Sequence, residues 1–237
     1  MIILPAIDIF EGKAVRLYKG DYAQMTVYDE HPEEVGAQFA GCGAEWVHIV
    51  DLEGARSGET PNLSVIKSII QTCGLKAEVG GGIRSMKVIE EYLNAGVTRV
   101  VLGTAAVKDP QLLKDAVARF GEHIAVGVDI KNNFVAIKGW TEESSLTGMD
   151  FCRMLQDIGV STVVCTDISR DGAMKGANLQ LYRSMNEALD LNIVASGGVS
   201  SEEDVRALRE AGLYGAIIGK AYYTGAVDLK KILEEQC

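Results

Sequence analysis

No stretch of this chain stays apolar long enough to cross a bilayer: the runs at 2–4 and 98–102 break at Pro or Gly, far short of the roughly 20 residues a spanning helix needs. A basic leader is also missing. Met1-Ile2-Ile3-Leu4-Pro5-Ala6-Ile7-Asp8 reaches an acidic residue at once, unlike a secretory signal, and predicts a cytoplasmic protein. The five cysteines (Cys42, Cys73, Cys152, Cys165, Cys237) are odd in number, widely spaced and without a CxxC pair, so they read as reduced structural thiols. Excess positive charge is lacking too. A net charge of −10 disfavours sequence-independent nucleic-acid binding, which needs a basic face to release counterions. A small anionic ligand stays open, because backbone N–H groups make locally positive sites within an acidic protein. Of the three scattered histidines (His31, His48, His123), only His48, within the second strand-like run, can reach a site, and its role is read as structural. No His/Cys/carboxylate cluster has metal-ligand spacing, and no GxGxxG follows the first strand, so neither metal nor cofactor is indicated.

The sequence does carry a long-period repeat. Glu78-Val79-Gly80-Gly81-Gly82-Ile83 returns as Val194-Ala195-Ser196-Gly197-Gly198-Val199, an offset of 116 that also takes Ala95-Gly96 to Ala211-Gly212 and Gly103 to Gly219. Gly54 and Gly58 return at an offset of 118 as Gly172 and Gly176. Ile7-Asp8-Ile9 and Ala14-Val15-Arg16 correspond to Val128-Asp129-Ile130 and Val135-Ala136-Ile137. The turn formers Glu11-Gly12 and Asn132-Asn133 lie between the paired runs, so each half opens with a strand leading into a short β-hairpin.

Strand-like runs at 2–8, 46–51, 76–80, 98–102, 124–129, 162–167, 192–196 and 215–218 alternate with helical stretches. They are rich in Val and Ile without polar alternation, as in a parallel sheet buried on both faces. Asp109-Pro110 and Gly121 bracket a helix whose inward stripe is Leu112, Leu113, Ala116, Val117 and Phe120, and Ser200 with Glu203 predicts a capping box for the seventh helix. No linker or low-complexity segment interrupts residues 110–125. Hydrophobic residues make up 47% and charged residues 24%, with mean hydropathy +0.09, a balance that permits one large core and excludes disorder. Eight βα units from two similar halves predict a single domain over 1–237, an α/β (β/α)8 TIM barrel built of two half-barrels, with an open doubly wound sheet as the alternative.

In such a barrel the active site lies at the C-terminal ends of the strands. There stand Gly80-Gly81-Gly82, Gly103-Thr104, Gly197-Gly198 and Gly219-Lys220. Any one glycine could simply make a tight turn, but the matched pairs predict two phosphate sites and a ligand carrying two phosphates. Lys220 adds charge to one site or is a solvated lysine. Asp8 and Asp129 end equivalent strands, where one carboxyl can serve as acid and the other as base. Thr166 and Asp171 break the repeat, so they either discriminate the substrate's two ends or only make loop hydrogen bonds.

Together, Pro5-Ala6-Ile7-Asp8, Val15-Arg16-Leu17, Lys19-Gly20-Asp21, Asp51-Leu52-Glu53-Gly54-Ala55, Gly80-Gly81-Gly82-Ile83-Arg84, Gly139-Trp140 and Gly219-Lys220-Ala221 resemble the ProFAR isomerase family along the whole length. Glu53 stands where Asp is frequent. The resemblance implies an Amadori rearrangement of the aminoaldose ProFAR to the aminoketose PRFAR in histidine biosynthesis, with no cofactor and no obligate protein partner. It implies Asp8 as proton acceptor and Asp129 as proton donor, with Asp171 and Thr166 also in the chemistry, and leaves open which carboxylate protonates the ring oxygen. Gly20 falls within a family motif and is taken as substrate-binding. Gly82, Arg84, Gly103 and Thr104 would hold one phosphate; Gly176, Gly198, Gly219 and Lys220 would hold the other; Trp140 would cover the imidazole carboxamide. Three rivals stay open: the related ammonia-using cyclase barrel, a bifunctional enzyme that also isomerises phosphoribosylanthranilate, and a non-catalytic phospho-ligand binder. The first-strand motif and the Gly139-Trp140-Thr141 loop favour the isomerase over the cyclase, and paired aspartates argue against a mere binder.

Overall fold

The computed structural model of the chain describes residues 1–18 and 20–235; Lys19 and Cys237, both named above, lie outside the described residues, as does Gln236. The strands are β1 (Ile2–Phe10), β2 (Lys13–Tyr18), β3 (Asp21–Asp29), β4 (Trp46–Asp51), β5 (Lys76–Gly80), β6 (Arg99–Leu102), β7 (Ile124–Lys131), β8 (Phe134–Ile137), β9 (Glu142–Thr147), β10 (Thr162–Asp167), β11 (Asn192–Ser196) and β12 (Gly215–Ile218). Eight of them, β1-β4-β5-β6-β7-β10-β11-β12, pair in parallel, and β12 pairs back onto β1 to close a (β/α)8 barrel.

Two cores follow from strands buried on both faces. Side chains pointing outward meet the helices in one large cluster that includes Ile7, Ile49, Val79, Val100, Val126, Val163 and Ile193. Those pointing inward, Leu4, Ala6, Val101, Ala125, Val164, Val194 and Ile217, fill the barrel itself. The barrel is therefore a packed floor beneath a mouth rather than a pore. Helix ends are satisfied locally. Asp109 accepts a hydrogen bond from the Leu112 N–H at 3.0 Å, Pro110 occupies the first turn and Gly121 ends the helix Pro110–Phe120. Leu113 and Ala116 of that helix are buried, with Leu112, Val117 and Phe120 packed beside them.

The structure corrects two expectations. The capping box of the helix Glu202–Glu210 is Ser201 with Asp204, one residue beyond the expected Ser200 and Glu203; Ser200 also donates to Asp204 through its N–H and hydroxyl, both at 2.9 Å. Asp204 takes the role because the helix begins one residue later. Each hairpin also gains a third strand, β3 pairing with β2 and β9 with β8. These added strands are largely exposed and so lack the alternation that betrays a half-buried strand. No helix among the described residues is long and apolar enough to cross a membrane. Cys42, Cys73, Cys152 and Cys165 are free thiols, as expected.

Candidate active site

The C-terminal strand ends surround one cavity of about 920 Å³. Asp8 enters it from β1 and Asp129 from β7, each lifted by the last turns of its strand above the apolar barrel filling. Their partners differ. Arg16, brought over by the β1–β2 hairpin, donates from Nη1 to Asp8 Oδ1 at 2.9 Å, so one carboxyl stands beside a cation. Asp129 has no guanidinium beside it: Trp140 Nε1 donates to Oδ2 at 2.9 Å, and Thr166 lies opposite it on β10. Burial pushes both carboxyls above the ordinary carboxylate value. The Arg16 charge opposes the shift at Asp8, the Trp140 hydrogen bond opposes it at Asp129, and the neighbouring Asp171 adds to both.

The glycine-bearing loops keep the repeat in three dimensions. Gly81 and Gly197 both have positive φ, +114° and +85°, and a Cβ on Gly81 would collide with the Asp51 carbonyl while one on Gly197 would lie 2.9 Å from the Asp167 carbonyl. Only glycine lets the strand turn so closely under the preceding loop. Gly103 and Gly219 start their short helices with nearly the same backbone, φ −96° and ψ −111° against φ −99° and ψ −108°. Beneath the loops, Asp51 accepts from Asn62 Nδ2 at 2.8 Å and Asp167 from Asn178 Nδ2 at 2.7 Å, one brace per half at the same offset of 116. The two halves thus present matched backbone cradles at opposite sides of one mouth.

Asp8, Asp129, Asp171, Thr166, Gly20, Gly82, Arg84, Gly103, Thr104, Trp140, Gly198, Gly219 and Lys220 all line this cavity. Gly176 does not. It lies behind Gly198, where a Cβ would come within 2.5 Å of the Gly176 carbonyl, and that carbonyl accepts from Arg170 Nη1 at 3.0 Å. Lys220 Nζ donates to the Gly172 carbonyl at 3.1 Å, and Thr104 Oγ1 accepts from the Lys138 N–H at 2.9 Å. The Trp140 ring also lies 3.2 Å from where a Gly20 Cβ would be, joining the two hairpin loops across the mouth.

Arg16 and His48 are among the lining residues to which the sequence assigns no chemical role. Arg16 stood within a motif, but its contact with Asp8 depends on the hairpin register, Asp8 opposite Val15. His48, read as structural, is in the cavity wall with its Nδ1 2.8 Å from Glu78 Oε1. Among the described residues no group of three or more His, Cys, Asp or Glu is placed to hold a metal ion.

A family model described as "Histidine biosynthesis protein" matches residues 2–228. Similar chains carry the name 1-(5-phosphoribosyl)-5-((5-phosphoribosylamino)methylideneamino)imidazole-4-carboxamide isomerase. One from Oceanobacillus iheyensis is 49% identical over 234 residues, covering 99% of this chain and 98% of that one. One from Clostridium botulinum is 47% identical, covering 99% and 97%, and one from Acetivibrio thermocellus 42%, covering 99% of both.

Proposed function

The chain belongs to the histidine biosynthesis protein family, and from that premise we propose that it is the isomerase its relatives are named for, converting ProFAR, the imidazole carboxamide of that name, to PRFAR. The reaction is an intramolecular aldose–ketose isomerisation, run in the cytoplasm by one barrel domain through carboxylate acid–base chemistry. Its substrate carries a phosphate at each end.

One observation carries the mechanism: two carboxyls from equivalent strands share a cavity but have unequal partners. Asp129, pushed up by burial and bonded to Trp140 rather than to a guanidinium, suits the acid that protonates the ribose ring oxygen. Ring opening then leaves a Schiff base. Asp8, beside Arg16, suits the base that removes the C2 proton, giving an enolamine that tautomerises to the ketose. The glycine cradles, with Arg84 on one side and Lys220 on the other, hold the two phosphates so that the opened sugar stays between the carboxyls. Trp140 roofs the imidazole carboxamide from the loop after β8, releasing Asp129 as it does so.

Asp8→Asn and Asp129→Asn test this directly, since each keeps size and removes proton chemistry. Each variant is expected to remain folded, to keep KM within a few-fold and to lose at least about 10²-fold in kcat, the low end of general acid–base contributions. If Asp129→Asn keeps nearly full turnover, Asp171, which faces the same cavity, replaces it as the acid. Full activity in both variants would end the two-carboxylate mechanism.

A further inference from the structure

Below the mouth, the barrel interior is mostly apolar, and its charged groups form one array in the first half, whose Arg99 Nη1 also donates to the Thr162 hydroxyl of β10 at 3.5 Å. Glu78 on β5 is 0% exposed and accepts from Arg99 Nε on β6 at 2.6 Å, while its other oxygen lies 2.8 Å from His48 Nδ1 on β4. Arg99 is 4% exposed, stacks 4.8 Å over the Trp46 ring and has an Nη2 with no hydrogen-bond partner among the described residues.

The second half shows that the barrel does not need this array. At the offset of 116, His48, Glu78 and Arg99 become Val164, Val194 and Gly215. The registers match: His48 sits opposite Glu78 and Glu78 opposite Arg99, as Val164 sits opposite Val194 and Val194 opposite Gly215. Val164 and Val194 therefore take two of these positions without charge, and at the third Ile2 and Leu4 close over Gly215. A buried ion pair at such positions incurs desolvation that packing alone does not require. The array's upper end is His48, which lines the same cavity as Asp8 and Asp129.

We infer that Glu78, clamped by Arg99, is a positioning residue that fixes the proton of His48 on Nδ1 and leaves Nε2 as the ring nitrogen offered to the two carboxyls. The physical reason is donor and acceptor count. Burial pushes the Glu78 carboxyl up, but the Arg99 guanidinium, paired with it at 2.6 Å, and the His48 hydrogen bond hold it on the ionised side. An ionised carboxylate only accepts, so Nδ1 must donate, and in the neutral ring Nε2 accepts. A cavity-side acceptor can take a hydrogen bond from a protonated catalytic carboxyl or from an opened-sugar hydroxyl. A ring with the opposite tautomer cannot. The same logic, a buried carboxylate orienting a histidine from behind, governs other catalytic and metal-bound histidines.

The inference rests on the isomerase reading for its catalytic consequence, and not for the tautomer itself. The test variant is Glu78→Gln. Arg99 Nε still requires an acceptor, so the glutamine carbonyl faces Arg99, its amide faces His48, and the proton moves to Nε2. Imidazole ¹⁵N chemical shifts are expected to show Nδ1 protonated in the unmodified protein and unprotonated in Glu78→Gln at neutral pH. kcat is expected to fall at least about tenfold with KM within about threefold, less than the ~10⁴ of a wrong tautomer in a triad histidine. Combining Glu78→Gln with His48→Asn should be no slower than His48→Asn alone, because Glu78 acts through His48. An unmodified protein whose Nδ1 lacks the proton overturns the inference even if the variant fails to fold. So does an unchanged kcat, or losses that multiply in the double variant. Failure of the unmodified protein to turn over ProFAR would instead strike the isomerase reading, with the ¹⁵N shifts still deciding the tautomer.

Discussion

At the scale of single residues, Asp8 and Asp129 are equivalent by sequence and unlike by environment, and stability should separate them. For a carboxyl whose folded value lies above its unfolded value, the folded state binds the proton more tightly, so stability is lost as pH rises through that window and stays lost above it. Asp129→Asn removes this penalty. Its Tm is expected to exceed that of the unmodified protein at neutral pH, by about 2–4 °C for each kcal/mol in a domain of this size, with the gap closing toward acid pH. Asp8→Asn gains less or loses, because it strands the buried guanidinium of Arg16. Thermal unfolding from acid to neutral pH checks both, and an Asp129→Asn gain independent of pH would mean that burial does not tax this carboxyl. Both aspartates were legible from sequence because each closes an apolar run at a repeated position. Glu78 was not, since a single acid inside a strand shows its partners only once β4 and β6 lie on either side of it.

At the scale of elements, the two half-barrels reuse one device, the strand-ending glycine turned beneath the preceding loop. Gly81→Ala places a methyl group against the Asp51 carbonyl at positive φ, a larger intrusion than Gly197→Ala makes at Asp167. The first substitution is expected to cost at least about 1 kcal/mol and, if the loop holds a phosphate as proposed, to raise KM, with the second milder in both. Denaturation and steady-state kinetics on the pair decide it; a harmless Gly81→Ala would contradict the cradle. The eight barrel strands were readable from sequence, most of them to within a residue or two, because parallel strands buried on both faces are short, dense in Val and Ile, and punctuated by Gly or Asp. The ribbon strands β3 and β9 were not. They bury no continuous face, and their pairing is set by β2 and β8 rather than by a hydrophobic pattern.

At the scale of the whole molecule, duplication and asymmetry divide the work. Duplication supplies two cradles facing each other across one mouth, which suits a ligand phosphorylated at both ends even though the protein's net charge is −10. Asymmetry distinguishes the two aspartates: Arg16 bonds to one, Trp140 to the other, and the charged His48–Glu78–Arg99 array has no counterpart at the equivalent positions of the second half. The cradles are visible in the repeat, whereas the asymmetry lies in residues that the repeat does not share; Thr166, Asp171 and Trp140 stand out in the sequence, and the contacts of Arg16, Glu78 and Arg99 do not. The reaction itself can be measured. The most direct measurement is turnover of ProFAR and of phosphoribosylanthranilate by one purified sample. PRFAR formation without added cofactor is expected, with no comparable turnover of phosphoribosylanthranilate; comparable rates on both would make the enzyme bifunctional, and absence of PRFAR formation by the folded protein would rule out the isomerase.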